Sequence, residues 1–241
     1  MDKFSYFDLL AILNIDDAHP GGFDLTKGIV KFLPLTSKSS VLEVGCGSGN
    51  TACYLYEKYK CSITTIDLND QMLINAKKRF RRKNFPINIY QANAEDLPFK
   101  DNTFDVIISE SVTSFTNIEK SLKEYYRVLK NGGYLLAIEM TTERPLILKE
   151  QNEIEAVYGI RKTRTVKEWE IFFKKTGFND YKVIKGDTII NTSLKPTPSL
   201  PFHKLPPEGM DMLHKFQELI VRYKDVLGYR VFLCKKSEIS K

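Results

Sequence analysis

Cysteine is sparse in this sequence: Cys46, Cys53, Cys61 and Cys234 are the four among 241 residues. None forms a closely paired metal-binding arrangement, and two fall within one expected helix-and-loop unit where a bridge would be awkward. They are expected to be reduced, structural thiols. Histidine is scarcer, with His19, His203 and His214 only, and no His, Cys or carboxylate pair has ligand spacing, so no metal is expected. Long apolar runs are missing as well. Nothing approaches the ~18 consecutive apolar residues of a spanning helix. Met1-Asp2-Lys3 does not open a secretory signal. A cytoplasmic protein with no membrane span is therefore expected. No internal repeat is present, and the oligomeric state is not legible.

Excess charge is also lacking. The net charge of +6, from 36 basic and 30 acidic residues, does not by itself imply a polyanion partner. The concentrated run Lys77-Lys78-Arg79-Phe80-Arg81-Arg82-Lys83 ends an expected helix, where cations complement the negative end of the dipole. No second basic stripe with interleaved aromatics accompanies it, so a nucleic-acid partner is not expected. What the chain does have is apolar material for a sizeable core, 42% of its residues, enough for a single domain over 1–241.

Three stretches are expected within it. Residues 1–35 read as a helical cap, with near-helical apolar spacing over 4–16 and a second helix over 25–33, separated by His19-Pro20-Gly21-Gly22. Residues 36–140 alternate strand and helix: strands at 41–44, 62–67, 87–92, 104–109 and 134–139, helices at 51–60, 71–82 and 118–129. That rhythm means a mostly parallel sheet with helices on both faces, binding its ligand beyond the carboxyl ends of the strands. Residues 141–241 are read as the substrate side: helical over 144–175, a strand at 181–184, and a proline-rich excursion over 186–207. A helix over 210–227 and a last strand at 229–234 complete it.

The strand Val41-Leu42-Glu43-Val44 runs into Gly45-Cys46-Gly47-Ser48-Gly49 and then a helix. Glycines there let the backbone turn tightly and approach a ligand, with free N–H groups at the helix start. A dinucleotide fingerprint would need glycine where Asn50 stands, and no Gly-Lys-Ser/Thr follows to make a P-loop. Glu43 also suits a ligand carrying positive charge better than a pyrophosphate.

E-V-G-C-G-S-G-N resembles the first motif of class I S-adenosylmethionine-dependent methyltransferases, and other segments agree in order. Asp67 matches the acidic residue that accepts hydrogen bonds from the ribose hydroxyls, and a carboxylate suits a diol because it is acceptor-only. Gln91-Ala92-Asn93-Ala94-Glu95-Asp96-Leu97-Pro98-Phe99 resembles the adenine-contacting segment, with Asn93 where Asp is usual. Asn102 to Ile107 and Tyr126 to Gly133 complete a likeness over about residues 40–140 that is strongest to the ubiquinone and menaquinone C-methyltransferase subgroup.

The resemblance implies a Rossmann-like seven-stranded, mostly parallel sheet, with an N-terminal helical lid and an insertion before the last strand. It implies S-adenosylmethionine as cofactor, held by Glu43, Gly45, Cys46, Gly47, Gly49 and Asn50 in the loop. Asp67, Leu68 and Met72 follow the second strand, and Asn93, Ala94 and Glu95 follow the third. Glu110, after the fourth strand, is placed to orient the methionine ammonium or to meet the acceptor. Gly21 and Gly22 would let backbone approach the methionine end. Tyr6 and His203 are further substrate-side candidates.

The family's chemistry is direct displacement at the sulfonium methyl, which asks the protein to align the reactants and exclude water. A small-molecule acceptor is expected. An RNA or protein methyltransferase is the enzymatic alternative, and a non-catalytic module keeping the fold is the alternative of another class.

Overall fold

The computed structural model describes residues 4–13, 19–160, 162–189 and 202–237. Two helices come first, α1 (Tyr6–Leu13) and α2 (Gly22–Ile29). The strand–helix alternation follows as β1 (Ser40–Val44), α3 (Asn50–Tyr59), β2 (Ser62–Asp67), α4 (Asp70–Lys83), β3 (Asn88–Gln91) and β4 (Phe104–Glu110). After it come α5 (Ile118–Val128) and the long β5 (Leu129–Thr142). The remaining elements are α6 (Leu148–Tyr158), β6 (Arg164–Thr165), α7 (Val166–Lys175), β7 (Asp180–Thr188), α8 (Pro207–Tyr223) and β8 (Leu227–Lys235).

The sheet order is β3-β2-β1-β4-β5-β8-β7, with the first five strands parallel and β8 antiparallel to both of its neighbours. Seven strands thus form the continuous path expected, and β6 is an eighth, added as a short parallel pairing to Thr141 and Thr142 of β5. The central strands are apolar on both sides because both faces are covered. Val41, Ile63, Val106, Ile108 and Ile138 point to one face, where Leu25 and Ile29 of α2, Leu55 of α3 and Phe80 of α4 pack on them. Leu42, Val44, Ile107, Leu135 and Ala137 point to the other, against Leu122 and Tyr125 of α5 and Trp169 and Phe173 of α7. Alternation of side chains along a strand produces this division.

A third core lies apart from these two. Tyr6, Leu9 and Leu13 of α1 pack with Ile154, Val157 and Tyr158 of α6 and with Met212, Leu219 and Tyr223 of α8. Phe115, after β4, and Met140, late in β5, join it, so this core sits at the carboxyl ends of the parallel strands.

The helical reading of 144–175 is corrected. Gly159, in the left-handed region at φ 74°, closes α6, while Thr165 caps α7 by accepting from Glu168 N at 3.3 Å as the Glu168 carboxylate accepts from Thr165 N at 2.8 Å. That stop and start free Arg164 and Thr165 to pair with β5. β7 continues to Thr188 instead of ending at 184, because pairing with β8 carries it on past a bulge at Val183/Lys185. Residues 190–201 of the proline-rich excursion, with Pro196, Pro198 and Pro201, lie outside the described residues, as do 14–18 at the end of the first expected helix. Pro207 then opens α8 at a position where a missing N–H costs nothing. Among the described residues no helix is long and apolar enough to cross a membrane, and all four cysteines are buried and unbridged.

Candidate active site

β1 delivers the chain to a loop in which Gly45, Gly47 and Gly49 all have positive φ, 70°, 50° and 82°. Only glycine adopts such angles without strain. A side chain at Gly45 would overlap Val112, and one at Gly49 would lie 2.6 Å from Phe80 Cζ. Gly47 differs. A Cβ there would meet nothing within 4 Å, so its missing side chain leaves space beside the backbone instead of admitting a protein neighbour. Gly49 caps α3, and Gly45 N and Cys46 N both donate to Ile66 O at 2.9 Å, tying the loop to the end of β2. Cys46 is buried, and burial pushes its thiol well up.

Asp67 ends β2 opposite this loop. Its Oδ2 accepts from Gly47 N at 2.9 Å and its Oδ1 from Asn69 N at 2.9 Å. Burial raises its pKa, and these N–H donors work against that rise. Each oxygen keeps a lone pair for a further donor. Asn69, not Asp67, caps α4 by accepting from Met72 N at 3.1 Å. Leu68 beside it is 61% exposed, an uncovered apolar surface next to the carboxylate. Asn93 accepts from Glu95 N at 2.9 Å and so shapes its own turn. Ala94 is buried, and Glu95 accepts from Asn117 N at 2.8 Å, holding the start of α5. Asn50 opens α3, and Glu43 is buried just before the loop.

Glu110 ends β4 on the same side as Thr51 of α3. Thr51 Oγ1 donates to its Oε2 at 2.8 Å, and Thr26 Oγ1 of α2 donates to its Oε1 at 2.5 Å. His19 stands behind Thr26, with Nε2 3.1 Å from Thr26 Oγ1 and 3.7 Å from Glu110 Oε1. The turn holding His19 is closed by Gly22 N donating to His19 O at 3.1 Å. Gly21 is required there because Leu25 occupies the place of a side chain, whereas a Cβ at Gly22 would meet nothing within 4 Å. The N-terminal turn and the end of β4, separate in sequence, are therefore one hydrogen-bonded group.

Tyr6 is placed differently from Glu110. Its ring packs on Tyr158 at 5.2 Å and Phe216 at 5.5 Å, and burial pushes its hydroxyl up to about 12. It is an element of the third core. His203 is exposed, on a turn that packs on α1, whereas the side chains that donate to Glu110 are Thr26 and Thr51.

One carboxylate escaped sequence reasoning. Glu139 of β5 is fully buried and accepts from Thr113 N at 3.1 Å, Ser114 N at 3.1 Å and Ser114 Oγ at 2.7 Å. Desolvation pushes its pKa up to about 7 against those donors. It fixes the turn that carries Phe115 into the third core. Its isolation in the apolar run Leu135-Leu136-Ala137-Ile138-Glu139-Met140 was the available signal.

Residues 42–137 match the model of the methyltransferase domain family. The chain is 30% identical over 234 residues to the uncharacterized methyltransferase YodH of Bacillus subtilis, covering 96% of this chain and 99% of that protein. The chain belongs to the S-adenosylmethionine-dependent methyltransferase family. The ubiquinone/menaquinone biosynthesis C-methyltransferase UbiE of Rickettsia typhi is 40% identical over 124 residues, 46% of this methyltransferase and 48% of UbiE. In fold it is similar to Haemonchus contortus phosphoethanolamine N-methyltransferase 2, solved with S-adenosyl-L-methionine, with a TM-score of 0.80 at 19% identity over 96% of this chain and 57% of that one.

Proposed function

We propose that this methyltransferase acts on a small, largely apolar acceptor held under α1, α6 and α8. The observation that carries the reading is the third core, whose buried side chains are aliphatic and aromatic and which stands at the carboxyl ends of β4 and β5. An apolar lining favours a ligand that loses little hydration on entering.

The cofactor fits the residues present. The space beside Gly47 admits close approach to backbone, and Asp67 keeps acceptor capacity on both oxygens for a diol. Gly45, Gly47 and Gly49 would shape the cradle, Asp67 would take the ribose, and the segment Asn93–Glu95 with Leu68 would flank the adenine. Bound there, S-adenosylmethionine supplies an electrophilic methyl carbon. Glu110 is acceptor-only, with two hydroxyl donors already aimed at it, which makes it a charge partner for the methionine ammonium. The lid formed by α1, α6 and α8 excludes water and orients the acceptor.

One observation favours the RNA alternative. Lys58 and Lys60 stack on Tyr54, Tyr59, Tyr56 and Phe85, and Lys83 of the basic run also lies over Phe85. These rings are already covered by the chain's own lysines, so the small-molecule reading stands ahead. Incubation with methyl-labelled S-adenosylmethionine and panels of apolar small molecules and total RNA decides between them. Label in an organic-extractable small product is expected; label in RNA, with salt-sensitive binding, overturns the reading.

A further inference from the structure

We infer that His19 is a positioning residue for the cofactor, acting through Thr26 on Glu110; this rests on the reading that Glu110 meets the methionine ammonium. The direction of the hydrogen bonds is the argument. Thr26 has one hydroxyl proton and gives it to Glu110 Oε1 at 2.5 Å. The bond between Thr26 Oγ1 and His19 Nε2, 3.1 Å long, is then donated by the imidazole. The other ring nitrogen, Nδ1, lies 3.2 Å from Pro20 O, which accepts only. Nε2 is therefore the ring nitrogen that donates to Thr26, and it holds the Thr26 hydroxyl turned toward Glu110.

The group is enclosed. The side chains of His19 and Glu110 are 5% and 11% exposed, and Thr26 is fully buried. Among the described residues Glu110 is the charged group that His19 meets, while Asp24 and Lys27 of α2 pair with each other at 2.7 Å on its exposed side. Thr51 holds the second oxygen of Glu110 from α3, which the cofactor loop leads into. The relay thus fixes the carboxylate from two helices and leaves one lone pair on each oxygen for a cation.

Calorimetric titration of S-adenosylmethionine and S-adenosylhomocysteine into the full chain tests this, with the melting temperature of each ligand-free variant measured alongside. His19→Ala and Thr26→Val are each expected to weaken binding about tenfold, the worth of one well-placed buried hydrogen bond to a charged group. The double variant is expected to be no weaker than either single one, since one relay is broken once. His19→Gln, which can still donate to Thr26, is expected to bind within about threefold of wild type. Binding by His19→Ala or Thr26→Val within about twofold of wild type, additive losses in the double variant, or binding by His19→Gln as weak as by His19→Ala overturns the inference. Glu110→Gln separates the two levels: wild-type affinity in that variant defeats the reading of Glu110, whereas weak binding there with normal His19→Ala binding defeats the relay alone.

Discussion

The backbone N–H of Gly47 donates to Asp67 Oδ2 at 2.9 Å, so the middle glycine of the loop after β1 and the acidic residue ending β2 form one unit. Two β-α connections are thereby locked in register before any ligand arrives. Asp67→Ala is expected to weaken S-adenosylmethionine binding by about 10- to 100-fold, because the charge-assisted bonds proposed to the ribose would be lost together with the anchor of Gly47. Calorimetry measures it, and affinity unchanged within twofold would remove Asp67 from the cofactor site.

The three loop glycines are expected to separate stability from binding. Gly49→Ala places a methyl against Phe80 and Ala76 at a φ of 82°, and should lower unfolding free energy by about 2–4 kcal/mol in urea titrations. Gly47→Ala meets no neighbour within 4 Å, so its cost should stay near the ~1 kcal/mol of a left-handed alanine. Its cofactor affinity should nonetheless fall more than tenfold, since the methyl enters the space beside the cradle.

Glu139 makes stability depend on pH with a defined sign. Its folded pKa of about 7 lies above the ordinary 4.5 of a glutamate, so between those values the folded state binds more protons than the unfolded one. Its contribution is full below pH 4.5 and is lost as pH rises through about 7, an effect of about 3 kcal/mol for a buried carboxylate. Urea titrations from about pH 4.5 to pH 7.5 should show this decline in wild type and a flatter profile in Glu139→Gln. An equal decline in both would rule out Glu139 as its source.

Ser111 follows Glu110 with φ at 57°, and its buried hydroxyl has no hydrogen-bond partner among the described residues. Glycine at this position relieves the left-handed backbone and removes the orphaned hydroxyl, against a smaller loss of chain entropy. Ser111→Gly should therefore raise unfolding free energy by about 1 kcal/mol, measured as a higher Tm.

The parallel half of the sheet was legible because its strands are buried on both faces, although the Asn131-Gly132-Gly133 expected to stop the helix over 118–129 lies inside β5 and α5 ends earlier, at Val128. β2 falls where its alternation placed it, at 62–67, and the glycine loop was recognisable because close packing against Val112 and Phe80 admits no other residue type. The rest depends on partners distant in sequence. Two residues at 164–165 become a strand only because β5 overruns the sheet edge to meet them. His19 was singled out for the glycines beside it, yet its binding to Thr26 and Glu110 depends on where α2 docks, which no local pattern encodes. Glu139 was passed over because two of its three donors are backbone N–H groups, which every residue but proline carries.

The strand order β5-β8-β7 also sets a timetable. A ribosome makes β7 some forty residues before the strand that must stand between it and β5, and β7 has no other neighbour in the sheet. Until 227–235 is available, residues 180–188 carry an unpaired backbone edge on both sides, the condition that invites pairing with other chains. Lys182 and Lys185 on that waiting strand, and its bulge, are the charged and irregular features that blunt an open edge.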